Sequence, residues 1–290
     1  MKKTCRAWDY TFLTVHGVTL VTVTIIIALT RWVDGYRYLL RRTTVENGLF
    51  ELASVFVLLA LSVFCCVIVF QDRRALFLSK FQRLLFISMA CFAFLVAMEE
   101  VSWGQQIFGF QSGEFFDDHN LQKETNLHNL IPAMWLSTAI NVVVYGCFII
   151  IPLLYYCDFK VLALHKLLAW LPPIYWPSHY VVLMMAYSSS LHHYFSAITW
   201  SDTAALILSL IALLVYWLRV KLMSDILFTA NLFIVIVCSS VYAACYDIFS
   251  QYNLQYEIRE FVVVCGVFYW MVDWSLRLKE QMPPWLHDKS

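Results

Sequence analysis

The stretch 83–110, RLLFISMACFAFLVAMEEVSWGQQIFGF, decides the fold and also raises the functional question. It is almost uninterrupted apolar sequence from Leu84 to Met98 and then places two carboxylates, Glu99 and Glu100, side by side. Because a helix needs about 20 apolar residues to cross a bilayer core, the run predicts a membrane-spanning helix over 84–102. At about 1.5 Å per residue, Glu99 would lie roughly 24 Å beyond Arg83, just inside the far boundary of a core about 30 Å thick.

The composition of the whole chain places it among membrane proteins. Hydrophobic residues make up 61% of the 290 positions and charged residues 14%, whereas soluble domains are about half apolar and a quarter charged. The formal net charge is zero, which argues against a nucleic-acid partner, since phosphate binding needs a basic surface. The nine cysteines form no C-x-x-C pair and fall mostly inside apolar runs, so they are interpreted as small buried hydrophobic residues.

The distribution of apolar runs predicts an all-α, polytopic transmembrane helical bundle with about eight spans in a single membrane domain, 1–290. The predicted spans are 11–30, 49–71, 84–102, 132–156, 178–197, 203–219, 226–247 and 257–276. The first run is longer than the core of a signal peptide and lacks its small-residue cleavage site, so we interpret it as an uncleaved span. The segment 161–176 is broken by Pro172 and Pro173, and we predict that it is interfacial or half-inserted.

The basic residues predict the orientation of these spans. With both termini in the cytoplasm, 14 of the 20 Lys and Arg residues fall in inner segments, as the positive-inside rule expects. Thirteen of the 20 Asp and Glu residues fall outside. Because acids have little influence on topology, their accumulation on the outer side needs another explanation.

Polar side chains from several separate segments are predicted to meet at this outer end. Intramembrane acids are functional by default, and we expect a shared hydrated site. Glu99, Glu100, Glu124 and His128 are the predicted catalytic residues. The predicted substrate-binding or supporting residues are Glu46, Glu51, Trp103, Gln105, Asn120, Gln122, Asn126, Asn129, Asp247, Glu257 and Glu260.

Most of these residues also have a purely structural interpretation. Glu257 and Glu260 would favourably meet the positive end of a helix dipole, and Glu46 could belong to a turn before the second span. The amides of the loop after the third span could cap helix ends. Adjacent residues on a helix diverge by about 100°, so we expect only one of Glu99 and Glu100 to face a common site, and the same holds for His192 and His193.

A pair of motifs resembles a known family. The residues E-E-x-S-W-G-Q-x-x-x-G over 99–109 and N-x-Q-x-E-x-N-L-H-N over 120–129 look like the signature of a family of bacterial multi-pass membrane proteins of uncharacterised activity, and ENGLFE over 46–51 resembles that family's entry into its second span. The resemblance implies a bacterial cytoplasmic (inner) membrane and supplies no mechanism. The chain has no late-helix His-x-x-x-His, so the zinc site of membrane hydrolases related to alkaline ceramidases is not carried over.

Three functions are open at this point. The first is a membrane-embedded enzyme that acts on a lipid or lipid-linked substrate reaching the site from the bilayer. The sequence lacks a G-x-S-x-G elbow and a P-loop, which argues against classical serine hydrolysis and nucleotide hydrolysis. The second is a transporter or ion-coupled carrier, disfavoured because the charges are shallow and no internal repeat is visible. The third is a non-catalytic binding or assembly subunit of a membrane complex.

The enzyme hypothesis has two chemical branches. Mixed carboxylate and imidazole sets bind divalent metals such as zinc, iron or manganese. The predicted ligands are Glu100, Glu124, His128, His192 and His193. On a helix, Glu124 and His128 would share one face, being four residues apart. Without a metal, the same carboxylates and imidazoles would supply an acid/base pair.

Overall fold

The regular secondary structure of the described residues is all helical. The computed structural model describes residues 48–72, 78–120, 123–131 and 254–280, with isolated positions between 14 and 32, between 135 and 146, at 211, and between 233 and 241. Within these residues there is no β-strand. The all-α class predicted from the sequence is confirmed for this part of the chain.

The first two long helices are each long and apolar enough to cross a membrane. They are α1, Leu49–Gln71, and α2, Lys80–Glu100. Helix α1 coincides with the predicted span 49–71. Helix α2 begins four residues before the predicted span 84–102 and ends two residues before its end.

Local interactions explain where α2 begins and ends. Ser79 accepts a hydrogen bond from the main-chain N–H of Gln82, and the Gln82 side chain accepts one from the N–H of Ser79, so a capping box fixes the start. At the other end, Ser102 has φ 47°, which is incompatible with continuing a right-handed helix. The helix therefore stops at Glu100.

Both helices present large apolar side chains on their surfaces. A helix in the core of a soluble protein buries such side chains, whereas a helix facing lipid leaves them on the outside of the protein. The pattern agrees with membrane association of this hairpin. The exposed residues are Leu52, Phe56, Val63, Val67 and Phe70 on α1, and Phe81, Leu84, Ile87, Phe92, Phe94 and Leu95 on α2.

A hydrogen bond joins the two helices beside a row of small buried residues on α2. Ala90, Ala93 and Ala97 are buried along one face of α2, and side chains of this size let helix backbones approach closely. Ser62 Oγ on α1 donates to the carbonyl oxygen of Ala90 at 2.9 Å. A hydroxyl donating to a neighbouring backbone suits an apolar environment, where few other partners exist.

The short connection between α1 and α2 is fixed by an ion pair. Asp72 is fully buried, and its Oδ2 accepts a hydrogen bond from Arg83 Nη2 at 2.7 Å. The same Nη2 donates to the main-chain oxygen of Asp72, while Asp72 Oδ1 accepts from the N–H of Leu78. These bonds close the hairpin at the end predicted to be cytoplasmic.

Two short helices, α3, Gln105–Phe108, and α4, Glu114–His119, come before the last described helix, which is α5, Leu254–Glu280. This last helix begins three residues before the predicted span 257–276 and ends four residues after it. The chain divides into two compact units, 1–50 with 143–270, and 51–142 with 271–290. In the first unit Phe50 packs edge-on against Phe261, and in the second Phe86 stacks on Trp274 with ring centroids 4.7 Å apart.

The remaining predicted spans lie mostly outside the described residues. The isolated described positions within 11–30, 203–219 and 226–247 are helical, and those within 132–156 are α- or π-helical. The span 178–197 and the interfacial segment 161–176 lie outside the described residues altogether. The count of eight spans, the orientation of the termini and the single domain over 1–290 stay predictions.

Candidate functional site

Helix α2 ends in a left-handed turn that ordinary residues rarely adopt. Ser102, Trp103 and Gly104 have φ values of 47°, 54° and 88° in succession. For a residue with a Cβ, this conformation costs roughly 1–2 kcal/mol. Such strain persists only where surrounding contacts hold it, and it is concentrated at functional sites.

Hydrogen bonds to two glutamates hold this turn. Trp103 Nε1 donates to Glu99 Oε1 at 2.6 Å, one helical turn back on α2. Ser102 Oγ donates to Glu124 Oε2 at 2.8 Å, across 22 residues of sequence. The strained backbone is thus fixed from the helix on one side and from the following loop on the other.

The loop after the turn returns to α2 and is tied to it through its main chain. Glu99 Oε2 accepts a hydrogen bond from the N–H of Leu127 at 2.6 Å. Gln105 reaches the same loop, because its Oε1 accepts from the N–H of Thr125 at 2.6 Å and its Nε2 donates to the carbonyl oxygen of Lys123 at 3.4 Å. Two side chains near the end of α2 therefore position three peptide groups of the loop.

A buried group of four polar side chains lies between the turn and the loop; we call Ser102, Asn120, Glu124 and Asn126 the polar cluster. Asn126 Nδ2 donates to Glu124 Oε2 at 2.7 Å and to Ser102 Oγ at 3.1 Å. Asn120 Nδ2 donates to Asn126 Oδ1 at 2.9 Å and to the main-chain oxygen of Glu124 at 2.7 Å. Since buried polar groups are expensive unless paired, a network of this kind rigidifies the loop it holds.

The cluster is closed to solvent on most sides. Ser102, Asn120 and Asn126 are each less than 4% exposed, and Glu124 is half-buried. Ser102 therefore cannot act as a nucleophile on an outside substrate while it holds this position. A further buried hydroxyl, Thr125 Oγ1, has no hydrogen-bond partner among the described residues.

Two short helices lie between the turn and the cluster's loop. They are α3, Gln105–Phe108, and α4, Glu114–His119. Helix α4 carries exposed acids, of which Asp117 bonds to the Ser112 hydroxyl, and His119 stacks on Phe115. A second 3₁₀ turn, His128–Leu130, follows the loop.

The structure brings many of the sequence-predicted residues into one network. Glu99, Trp103, Gln105, Asn120, Glu124 and Asn126 are all joined by the hydrogen bonds described above. Glu100 follows Glu99 at the end of α2 and is half-buried, as is Asn129 in the second 3₁₀ turn. Their catalytic and substrate-binding roles stay predictions.

Other predicted residues lie elsewhere or outside the described part. Glu51 is in the first turn of α1 and is half-buried, and Glu260 is exposed on α5. Glu257 belongs to α5 and His128 to the second 3₁₀ turn, but their side chains are outside the described part of the structure. Five further predicted residues lie wholly outside it: Glu46, Gln122, Asp247, His192 and His193.

One geometric assumption about Glu124 and His128 is wrong. Residues 123–127 are not helical, and only His128–Leu130 forms a short 3₁₀ turn. The four-residue spacing therefore does not put Glu124 and His128 on one helix face. The reason is tertiary: Gln105 and Glu99 bind main-chain groups of this segment, and a helix would need those groups for its own hydrogen bonds.

The metal hypothesis gains no support from the described side chains. Among them, no three His, Cys, Asp or Glu residues are grouped as a metal ion requires. Three of the five predicted ligands, the histidines, have side chains outside this part of the chain. The metal site stays a prediction.

The structure adds residues that the predicted site lacked. Ser102 bonds to both Glu124 and Asn126 in the cluster. Its place in the motif S-W-G, directly after the two glutamates, is the sequence feature that could have indicated a role in the site. Thr125 and Leu127 contribute main-chain N–H groups. No side-chain pattern reveals such donors, because every residue except proline has one.

Comparisons with protein-family models, with curated proteins and with solved structures find no match for this chain. The residues and their geometry are therefore the basis for assigning a function.

Proposed function

We propose that this chain is a multi-pass protein of a bacterial cytoplasmic membrane with an enzymatic site at its outer boundary, acting on a lipid or lipid-linked substrate. The observation that carries the proposal is the bond from Glu99 to the N–H of Leu127. It holds residues 28 positions apart in sequence together at the end of a helix long and apolar enough to cross a membrane.

We divide the polar residues of the site into positioning residues and reacting groups. Glu99, Ser102, Gln105, Asn120 and Asn126 are positioning residues, because their described hydrogen bonds go to one another, to Glu124, to Trp103 and to the loop backbone. We assign the reacting roles to Glu100, the residue after Glu99, and to His128, the residue after Leu127. Glu124 belongs to both groups, because it accepts hydrogen bonds from Ser102 and Asn126 and is also a proposed metal ligand.

The chemistry that suits these residues is proton transfer at a polar headgroup. A carboxylate and an imidazole held at a membrane boundary supply a general base and a general acid for hydrolysis or transfer at a headgroup or linkage. The buried Thr125 hydroxyl, which lacks a partner among the described residues, is a further group for orienting a ligand. If a divalent metal is bound, Glu100, Glu124 and the histidines His128, His192 and His193 are its proposed ligands.

The proposal is tested by comparing lipids and metal content across matched variants. Wild-type protein, Glu100→Gln, His128→Ala and the control Glu114→Gln, an exposed acid on α4, are expressed in a host lacking the endogenous copy. We expect untargeted lipid mass spectrometry to show a species changed by wild type and by the control but not by the two site variants. An identical lipid profile for all four would reject the enzyme.

Elemental analysis of the same purified proteins tests the metal branch separately. Stoichiometric metal in wild type and Glu114→Gln, reduced in Glu100→Gln and His128→Ala, supports it. Wild-type protein purified without chelators and carrying no stoichiometric metal rejects that branch and leaves the acid/base branch.

A second candidate function is a binding or assembly subunit. It is favoured by the exposed acids of α4, Glu114, Asp117 and Asp118, which would form a negative rim for a periplasmic partner with a basic surface. A co-purifying protein lost in Asp117→Asn/Asp118→Asn but kept in Glu100→Gln would support this candidate. An ion-coupled carrier is the third alternative, and it would be supported by proton- or sodium-dependent uptake in proteoliposomes.

A further inference from the structure

The segment 107–115 presents apolar side chains that nothing described covers; we call it the aromatic loop. The exposed fractions are 67% for Ile107, 80% for Phe108, 43% for Phe110 and 57% for Phe115. Four large apolar side chains within nine residues exceed the scattered exposure that is usual on a soluble surface.

The anchoring of the loop keeps these side chains outside. Gln105, at the start of α3, is bound to the main chain at Lys123 and Thr125. Gly109 has φ 66°, and its N–H donates to the carbonyl oxygen of Gln105 at 2.8 Å, so the chain turns directly after Phe108. Ser102 in the turn bonds to Glu124, which is linked through Asn126 to Asn120. The polar cluster therefore already fills the space between the turn and the loop.

The aromatic loop closely follows the exposed apolar half of α2 along the chain. Helix α2 exposes Phe92, Phe94 and Leu95 in its second half and ends at Glu100, only seven residues before Ile107. Trp103, between them, is 41% exposed, and an amphipathic ring of this kind suits the headgroup layer. The bilayer that covers α2 therefore borders the loop.

The charges near the loop determine how such a contact would be made. No Lys or Arg occurs from 84 to 122, so this segment itself offers anionic headgroups no basic partner. The exposed acids Glu114, Asp117 and Asp118 flank Phe115 on α4, and since charge is excluded from hydrocarbon, they limit the depth of insertion.

We propose that the aromatic loop inserts Ile107, Phe108 and Phe110 into the headgroup–acyl boundary of the same bilayer that α2 spans, with the acids of α4 kept in water. The inference rests on the proposed membrane function. It identifies the lipid boundary as the surface next to which Glu100 and Glu124 are held, so a lipid would approach the site along this loop.

The test is photocrosslinking in lipid nanodiscs. A benzophenone analogue of phenylalanine is introduced singly at Phe108, at Phe92 as a control within the span, and at Asp118 as a control in water. Only variants with the wild-type elution volume are irradiated. We expect lipid adducts by mass spectrometry at 108 and 92, and far fewer at 118.

The outcomes distinguish the proposal for the aromatic loop from the proposal that α2 spans a membrane. Lipid adducts at 92 but not at 108, or a crosslink from 108 to another protein segment, overturns the inference and leaves the membrane proposal standing. Absence of lipid adducts at both 92 and 108 overturns the membrane proposal as well. Equal yields at 108 and 118 contradict the proposed depth of α4.

Headgroup composition provides a second measurement. Because the segment 84–122 contains no Lys or Arg, exchanging a third of the phosphatidylcholine for phosphatidylglycerol should leave the adduct yield at 108 unchanged or slightly lower. A several-fold increase would mean that charge attraction, and not apolar insertion, brings the loop to the bilayer.

Discussion

Glycines near the site illustrate how backbone conformation, at the scale of one residue, determines what a position tolerates. Gly104 has φ 88°, and a Cβ placed there would lie 3.0 Å from Phe108 Cδ2. Gly109 has φ 66°, but a Cβ there would meet nothing within 4 Å. Gly113 has an ordinary extended backbone, with φ −70°, and the same open surroundings.

We expect alanine substitutions at these glycines to destabilise the protein in the order 104, 109, 113. Gly109→Ala should lower the free energy of unfolding by roughly 1–2 kcal/mol for the left-handed backbone alone, and Gly104→Ala by more, because Phe108 must also move. Gly113→Ala should remain within about 0.5 kcal/mol of wild type. Thermal unfolding in one detergent measures the order, and equal midpoints for 104 and 113 would contradict the left-handed turn.

Trp103 tests the hydrogen bond that fixes the same turn. Trp103→Phe keeps an aromatic ring but removes the donor to Glu99 Oε1, so we expect a loss of about 1–3 kcal/mol, the range for a bond to a carboxylate. Trp135→Phe is the matched control, because Trp135 is 65% exposed. A midpoint for Trp103→Phe no lower than that of the control would show that the bond contributes little.

At the scale of elements, the α1–α2 hairpin depends on one ion pair at its closed end. Removing one partner of a buried pair leaves the other uncompensated, which costs on the order of 3–5 kcal/mol. Arg83 is 32% exposed, so solvent reduces this value.

We therefore expect Asp72→Asn and Arg83→Met to destabilise the protein strongly, and the double variant to recover part of the loss. A double-mutant cycle on thermal unfolding measures the coupling. Strictly additive losses would mean that Asp72 and Arg83 act independently, contrary to the 2.7 Å contact between them.

The loop over 123–131 depends on the amide donors of Asn120 and Asn126, as the α1–α2 hairpin depends on its ion pair. Asn126→Asp keeps the shape of the side chain but replaces the N–H group 2.7 Å from Glu124 Oε2 with a carboxylate oxygen. We expect the loop to detach from α2 and proteolysis within 105–131 to accelerate several-fold, while Glu114→Gln, at an exposed position of α4, changes it little. Unchanged cleavage in Asn126→Asp would show that the polar cluster does not hold the loop.

At the scale of the whole molecule, the proposed topology makes opposite predictions for the two ends of α2. Alkaline phosphatase fused after residue 113 should be active, because that enzyme folds only outside the cytoplasm, and green fluorescent protein fused after residue 77 should fluoresce. The physical reason is the positive charge of the segment 73–83, which the positive-inside rule retains in the cytoplasm. The reverse pattern of activity and fluorescence would invert the proposed topology.

The sequence alone determined the long helices α1, α2 and α5 and much of the composition of the site. Apolar runs of the right length predicted α1 and α2, and the Ser79–Gln82 capping box, a readable local signal, explains why α2 begins before the apolar run does. Acids at the end of such a run stand out in any sequence, because lipid tolerates few of them. Helix formation depends on near neighbours, so a linear pattern contains the information.

Only the tertiary structure decided how the polar residues are used. Glu99, not distinguishable from Glu100 in sequence, is the carboxylate that binds both Trp103 and the loop backbone. Glu124 is held in a non-helical loop by Ser102, 22 residues away, and by the nearby Asn120 and Asn126. Partners of this kind include main-chain N–H groups, which every position offers alike, so only the three-dimensional path of the chain can select among them.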